Sequence, residues 1–160
     1  MGCWTGSTLC SAISRNRVRA TGIDNWSEFG GPKDQFLANV NRFKVPEAHV
    51  TFVECDFRKL DIASLGSFNV YLFDGPHAYQ DHYDGLVHAA PALTRQFILI
   101  IDDWNWEPVR RGSLAAIKAL NLSLKYSLEI RTTLDGTHGP VIGHLSDWHN
   151  GYFFSVLEKT

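Results

Sequence analysis

Asn69-Val-Tyr-Leu-Phe73 runs into Asp74-Gly-Pro-His77, and Phe97-Ile-Leu-Ile-Ile101 runs into Asp102-Asp103-Trp104. Each is a short apolar run ending in acid, and a helix-sized stretch separates the two. That is the pattern of neighbouring parallel strands whose carboxyl ends carry carboxylates. Neighbouring strands lie roughly 4.8 Å apart, so carboxylates at matching heights can share one ion. A hard divalent cation such as Mg²⁺ takes oxygen ligands at about 2.1 Å. The pair therefore predicts a metal site of Asp74, Asp102 and Asp103 at the top edge of an α/β sheet. Each aspartate could instead cap the turn that follows it. Two successive acids after an apolar strand are harder to explain that way, because unpaired buried carboxylates repel and a cation relieves the repulsion.

Outward from this pair, strand-like and helix-like segments alternate. Helices are expected over 8–15, over 32–43 with Phe36, Leu37, Val40 and Phe43 inward, around Tyr83, Leu86, Val87 and Ala90, and over 108–120 with Leu114, Ile117 and Leu120 inward. Strands are expected over 20–24 and 50–55, each meeting an acid, Asp24 and Asp56. The runs 126–132 and 152–158 read as two last strands, antiparallel neighbours because no helix pattern separates them. Such alternation predicts an α/β fold, a doubly wound, mostly parallel sheet covered on both faces and closed by an antiparallel pair. Ligands of such sheets bind beyond the carboxyl ends of the strands.

With 160 residues and no repeat or linker, the chain reads as a single domain, 1–160. A formal net charge of −2 gives no field suited to nucleic acid or an anionic membrane. The one basic stretch, Arg15-Asn-Arg17-Val-Arg19, reads as a solvated helix end. Three cysteines with no C-x-x-C pair argue against a disulfide framework and fit a reducing cytoplasm. No apolar run approaches the ~20 residues of a membrane span, and the start lacks a signal-peptide pattern.

Further residues point to ligand chemistry. Gly2-Cys3-Trp4-Thr5-Gly6-Ser7 reads as a glycine loop opening a helix, which lets backbone approach a negative group closely, or as an ordinary tight turn. Asp24, about twenty residues on, could accept both hydroxyls of a ribose or serve as a turn aspartate. Asp56 could accept from an adenine amino group and Phe57 could stack on a base, or they could be a turn acid and a core ring. His77, three residues after Asp74, titrates near neutral pH and is a candidate general base or a hydrogen-bonded loop histidine. His138, His144 and His149 could suggest zinc, but no cysteine or helical histidine pair accompanies them. Trp4, Trp26, Trp104, Trp106 and Trp148 all fall in loops assigned to the carboxyl edge, as walls for a flat or cationic ligand or as loops packed on themselves.

From Gly2 to about Glu158, this order of motifs resembles a class I S-adenosylmethionine-dependent methyltransferase. It is most similar to the metal-dependent small-molecule O-methyltransferases of the catechol and the macrolide- or aminocoumarin-sugar type. The resemblance implies a Rossmann-like fold in which Gly2, Cys3, Trp4, Gly6 and Ser7 cradle the methionine end of the cofactor. It implies that Asp24 holds the ribose, that Asp56 faces adenine beside Phe57, and that Asp74, Asp102 and Asp103 bind the metal, with Asp74 also near the cofactor. The sugar enzymes carry Asp-Asp at the last position, as this chain does. At the base position the catechol type has lysine where this chain has His77. The sugar type has an acid where this chain has Pro76. The family's first strand, which lies at the sheet centre between the second and fourth, has no counterpart here, nor does the acid before the glycine loop. Its loss would leave a gap or force direct pairing of the second and fourth strands, with exposed edges that favour a homodimer.

The resemblance thus implies S-adenosylmethionine and a divalent metal, Mg²⁺ by preference, and methyl transfer to a hydroxyl of a small molecule or sugar. The alternative is a non-catalytic cofactor- or partner-binding remnant of the fold. A third outcome is a metal-bearing scaffold that assists hydroxylation, since fold does not fix reaction.

Overall fold

The computed structural model describes all of 1–160 except Phe29 and Ile142, and the side chain of His144 also lies outside the described residues. The chain divides into two compact units, Met1–Leu60 and Asp61–Thr160.

The first unit holds α1 (Ser7–Ile13), β1 (Arg19–Asp24), α2 (Lys33–Phe43) and β2 (His49–Glu54). β1 and β2 pair in parallel from Arg19 opposite His49 to Asp24 opposite Glu54, so both acids reach the same end. Helix α1 stops at Ile13, short of the expected end, and Arg15 takes a left-handed φ of 59°. Ile13 and Phe36 are fully buried with Cys10, Val40 and Ala48 around them. Trp26, Phe36 and Phe52 form a triangle of rings with centroids 5.3, 4.7 and 5.1 Å apart. Of the four residues expected inward on α2, Phe36 and Val40 are buried, while Leu37 and Phe43 are exposed. A helix lying on two strands buries only a narrow i, i+4 stripe.

The second unit holds β3 (Phe68–Phe73), α3 (Tyr79–Ala89), β4 (Leu93–Asp102), α4 (Glu107–Ala119), β5 (Leu122–Ile130) and β6 (Tyr152–Lys159). Its four strands run in the order β3-β4-β6-β5, with β3 parallel to β4 and β6 antiparallel to both neighbours. The expected antiparallel pair is therefore present, and β5 starts at Leu122, earlier than the pattern suggested. The orders β1-β2 and β3-β4-β6-β5 correspond to the resembled sheet without its first strand, and each unit carries its own sheet.

One face of the four-stranded sheet carries Tyr71, Phe73, Phe97, Leu99, Ile101, Phe153 and Leu157, all buried. Burial of each such side chain contributes roughly 1.5–3 kcal/mol. Helix α3 packs on this face: the Tyr71 hydroxyl donates to the Gly85 carbonyl at 2.8 Å, and His82 meets the Phe73 ring edge-on at 4.9 Å. Helix α4 packs on α3 through small residues. Gly112, Ser113 and Ala116 are buried, whereas Leu114, expected inward, is 47% exposed. A Cβ at Gly112 would stand 2.2 Å from the Tyr79 carbonyl oxygen, so a large side chain has no room where the helices meet. The opposite face of the sheet is more open than the doubly covered expectation, with Val70, Ile98, Tyr126 and Leu128 exposed. Among the described residues no helix is long and apolar enough to cross a membrane.

Candidate functional site

The parallel register of β3 and β4 places Phe73 opposite Ile101, so Asp74 and Asp102 leave the sheet at matching heights. Asp103 follows with a left-handed φ of 56°, a conformation aspartate tolerates better than most residues. That turn brings its carboxylate back toward its neighbour. Carboxylate oxygens of Asp74, Asp102 and Asp103 all lie within 4.8 Å of one another, the one such group among the described residues that could hold a metal ion. The three residues singled out by the two strands therefore do converge. His138 and His149 join no such group.

Environment separates the two successive aspartates. Burial, then the charges of Asp74 and Asp103, push the Asp102 carboxyl up to about 7, against weaker pulls from the Asp103 N–H and the Tyr152 hydroxyl. These two donors stand 2.8 and 3.2 Å from Asp102 oxygens. Burial also pushes Asp103 up, but hydrogen bonds from His77 and Asn150 outweigh it and hold the carboxyl below its ordinary range. His77 Nε2 lies 2.9 Å from Asp103 Oδ2, and Asn150 Nδ2 donates to Asp103 Oδ1 at 2.7 Å. The Tyr152 phenol is raised by burial and by Asp102 and Asp74.

His77 also meets Trp106 edge-on at 4.4 Å, and Trp106 meets His138 at 5.0 Å. One histidine of the glycine-rich segment thus reaches the site through an indole. Trp104, expected at the rim, is instead fully buried: it stacks on Phe153 at 4.3 Å, and its Nε1 donates to Glu129 Oε2 at 2.8 Å. The chain folds back under β6 right after Asp103, which takes Trp104 into the core. Sequence reading missed Asn150 and Tyr152. Tyr152 carries a signal only once β6 is known to pair with β4, where it stands opposite Asp102.

In the first unit the glycine loop lies along β1, with the Gly2 N–H donating to the Ile23 carbonyl at 3.0 Å. Asp24 Oδ2 accepts the Cys3 and Trp4 N–H groups at 2.6 and 3.0 Å, and Oδ1 accepts the Trp26 N–H at 2.7 Å. So Asp24 fastens the loop. Gly6 has φ 90°, and a Cβ there would stand 2.9 Å from the Phe36 ring. Ser7 opens α1. Asp56 Oδ1 accepts the Arg58 N–H at 3.0 Å, capping a 3₁₀ turn, and Phe57 is buried rather than open. Trp26 sits in the ring cluster, with its Nε1 donating to the Trp4 carbonyl at 3.0 Å.

A sequence profile of a methyltransferase-domain family matches residues 1–104, and the chain belongs to that family. Comparison with curated proteins finds no match. In fold it is similar to an O-methyltransferase from Bacillus cereus solved in complex with SAH, at 14% identity and TM-score 0.57, covering 98% of this chain and 71% of that one. A TDP-rhamnose 3′-O-methyltransferase of calicheamicin biosynthesis is similar at 19% identity and TM-score 0.55, covering 98% and 68%. An rRNA methylase from Streptococcus thermophilus is similar at 8% identity and TM-score 0.56, covering 99% and 82%. The shared fold is Rossmann-like and serves more than one kind of acceptor.

Proposed function

We propose that this chain is an S-adenosylmethionine-dependent methyltransferase domain that methylates a hydroxyl of a small molecule beside a divalent metal, Mg²⁺ by preference. The observation that carries the metal assignment is the convergence of Asp74, Asp102 and Asp103 within 4.8 Å. Their donor set fits the group: all ligands are hard oxygens, and Asp102 is raised by burial and then by the two carboxylates beside it, a repulsion a cation cancels. A bound divalent cation supplies the charge that lowers the pKa of an acceptor hydroxyl.

The chain's own residues do the rest. Asp103 accepts from His77 Nε2, which makes Nδ1 the basic nitrogen of a neutral ring and stabilises the imidazolium that forms. With S-adenosylmethionine held by the loop, the sulfonium S–CH₃ bond would break as O–CH₃ forms, and His77 would take the hydroxyl proton. Trp106 holds the His77 ring from the side. The cofactor residues proposed are Gly2, Cys3, Trp4, Gly6, Ser7, Asp24, Asp56, Phe57 and Asp74, supported by the sequence resemblance; Asp24 supports the loop by clasping it, and the buried Phe57 ring offers no open face for stacking. A small acceptor rather than nucleic acid is supported by the net charge of −2.

The test is calorimetric titration of wild type and Asp102→Asn with S-adenosylmethionine and, separately, with Mg²⁺. The variant is expected to lose Mg²⁺ binding, to keep cofactor affinity, and to lose turnover at least tenfold. Unchanged turnover rejects the metal role. A folded chain that binds no S-adenosylmethionine rejects the enzyme reading in favour of a remnant.

A further inference from the structure

Two buried asparagines fasten the irregular chain between β5 and β6 to the carboxylate cluster. Asn150 is 3% exposed. Its Nδ2 donates to Asp103 Oδ1 at 2.7 Å, and its Oδ1 accepts the Gly139 N–H at 2.8 Å. A carboxylate offers only acceptors and a backbone N–H only a donor, so the side chain between them must carry one of each. Asn105, fully buried, repeats the arrangement: its Nδ2 donates to Thr132 Oγ1 at 2.8 Å, and its Oδ1 accepts the Thr132 and Thr133 N–H groups at 2.9 and 3.3 Å. The two residues are joined through backbone, the Asn105 N–H donating to the Asn150 carbonyl at 2.7 Å. The fit is close, for a Cβ at Gly139 would stand 2.1 Å from the His149 carbonyl oxygen.

An ordinary connecting loop runs over the surface with its backbone in water. This one is held by polar side chains whose burial is unfavourable unless every partner is in place. We propose that Asn150 is a positioning residue that couples filling of the Asp103 carboxylate to closure of the 132–139 arm. The coupling rests on the metal reading above. A cation on Asp103 fixes the carboxylate, the fixed carboxylate orients the Asn150 amide, and the amide holds Gly139. Linkage is reciprocal, so a closed arm in turn tightens cation binding. Closure also sets His138 against Trp106, the ring that braces His77.

Mn²⁺ is the probe, with affinity read by calorimetry and arm closure by amide hydrogen exchange of 132–139, on the full chain without cofactor or acceptor. In wild type, Mn²⁺ slows exchange of the arm. Asn150→Ala weakens Mn²⁺ about tenfold and abolishes the slowing. Gly139→Ala, which touches no carboxylate, weakens Mn²⁺ about fivefold by displacing the arm. Exchange in β4 and α3 reports whether each variant is folded. A fast-exchanging arm in Gly139→Ala with wild-type Mn²⁺ affinity overturns the coupling, as does wild-type affinity in folded Asn150→Ala. Should both variants unfold, Mn²⁺ binding to wild type without slowing of the arm overturns it. Failure of wild type to bind Mn²⁺ overturns the metal reading and with it the coupling, whereas Mn²⁺ binding with an unslowed arm overturns the coupling alone.

Discussion

Asp102 and Asp103 are adjacent carboxylates pushed in opposite directions, and pH separates them. The Asp102 carboxyl is raised to about 7, so between its unfolded value of about 3.9 and that point the folded chain binds more protons. Its stabilising contribution is complete below the unfolded value and is lost as pH rises through about 7. Asp102→Asn keeps the shape without the charge. In the metal-free protein it is expected to raise Tm at pH 8 by several degrees, roughly 2–4 °C per kcal/mol for a chain of this size. At pH 4 it should leave Tm unchanged. Thermal melts at the two pH values decide this, and an equal shift at both contradicts it. The proposed metal site needs Asp102 ionised, so on that proposal Mg²⁺ affinity climbs through pH 7 and levels off above it, which titrations at pH 6, 7 and 8 measure. The positions of Asp74, Asp102 and Asp103 were legible because strand ends advertise themselves. The difference between Asp102 and Asp103 was not, since it comes from the burial of Asp102 and from the His77 and Asn150 hydrogen bonds to Asp103, which only the folded chain assembles.

At the scale of elements, the seam between α3 and α4 shows where pattern reading fails. Leu86 and Ala90 are buried as expected, but on α4 the expected Leu114 is exposed, and Gly112, Ser113 and Ala116 are buried with Val109, near His82 of α3. Small residues let the helix backbones approach, and the larger ones then fall to the flanks. Gly112→Ala gains about 1 kcal/mol in helix propensity. Its Cβ nevertheless lands 2.2 Å from a backbone oxygen that cannot rotate away. Overpacking is expected to win, with a net loss of about 1–3 kcal/mol in urea denaturation. His82 is buried at the same seam, 3.3 Å from the Ser113 hydroxyl, and burial lowers its pKa to about 4. Its neutral ring is favoured in the fold, so stability is complete above the unfolded value of about 6.5 and is lost as pH falls toward 4. Replacing it by leucine should flatten Tm over that range; a curve as steep as wild type would assign the acid sensitivity elsewhere.

Across the whole molecule, two units carry two sheets of unequal size. A two-stranded sheet is marginal alone, whereas β4 and β6 are each paired on both sides. Amide exchange is therefore expected to be slowest in β4 and β6 and much faster in β1 and β2; equal protection in all four strands would contradict this. Sequence by itself determined the alternation of elements, the carboxyl-edge acids and the family, because period, turn residues and strand-end acids are local signals. Tertiary structure alone decided that the small faces of α3 and α4 meet. It alone took Trp104 into the core and tied the segment before β6 to Asp103 through Asn150. Those outcomes depend on which surfaces close on each other, and a one-dimensional pattern of residue types carries no record of that.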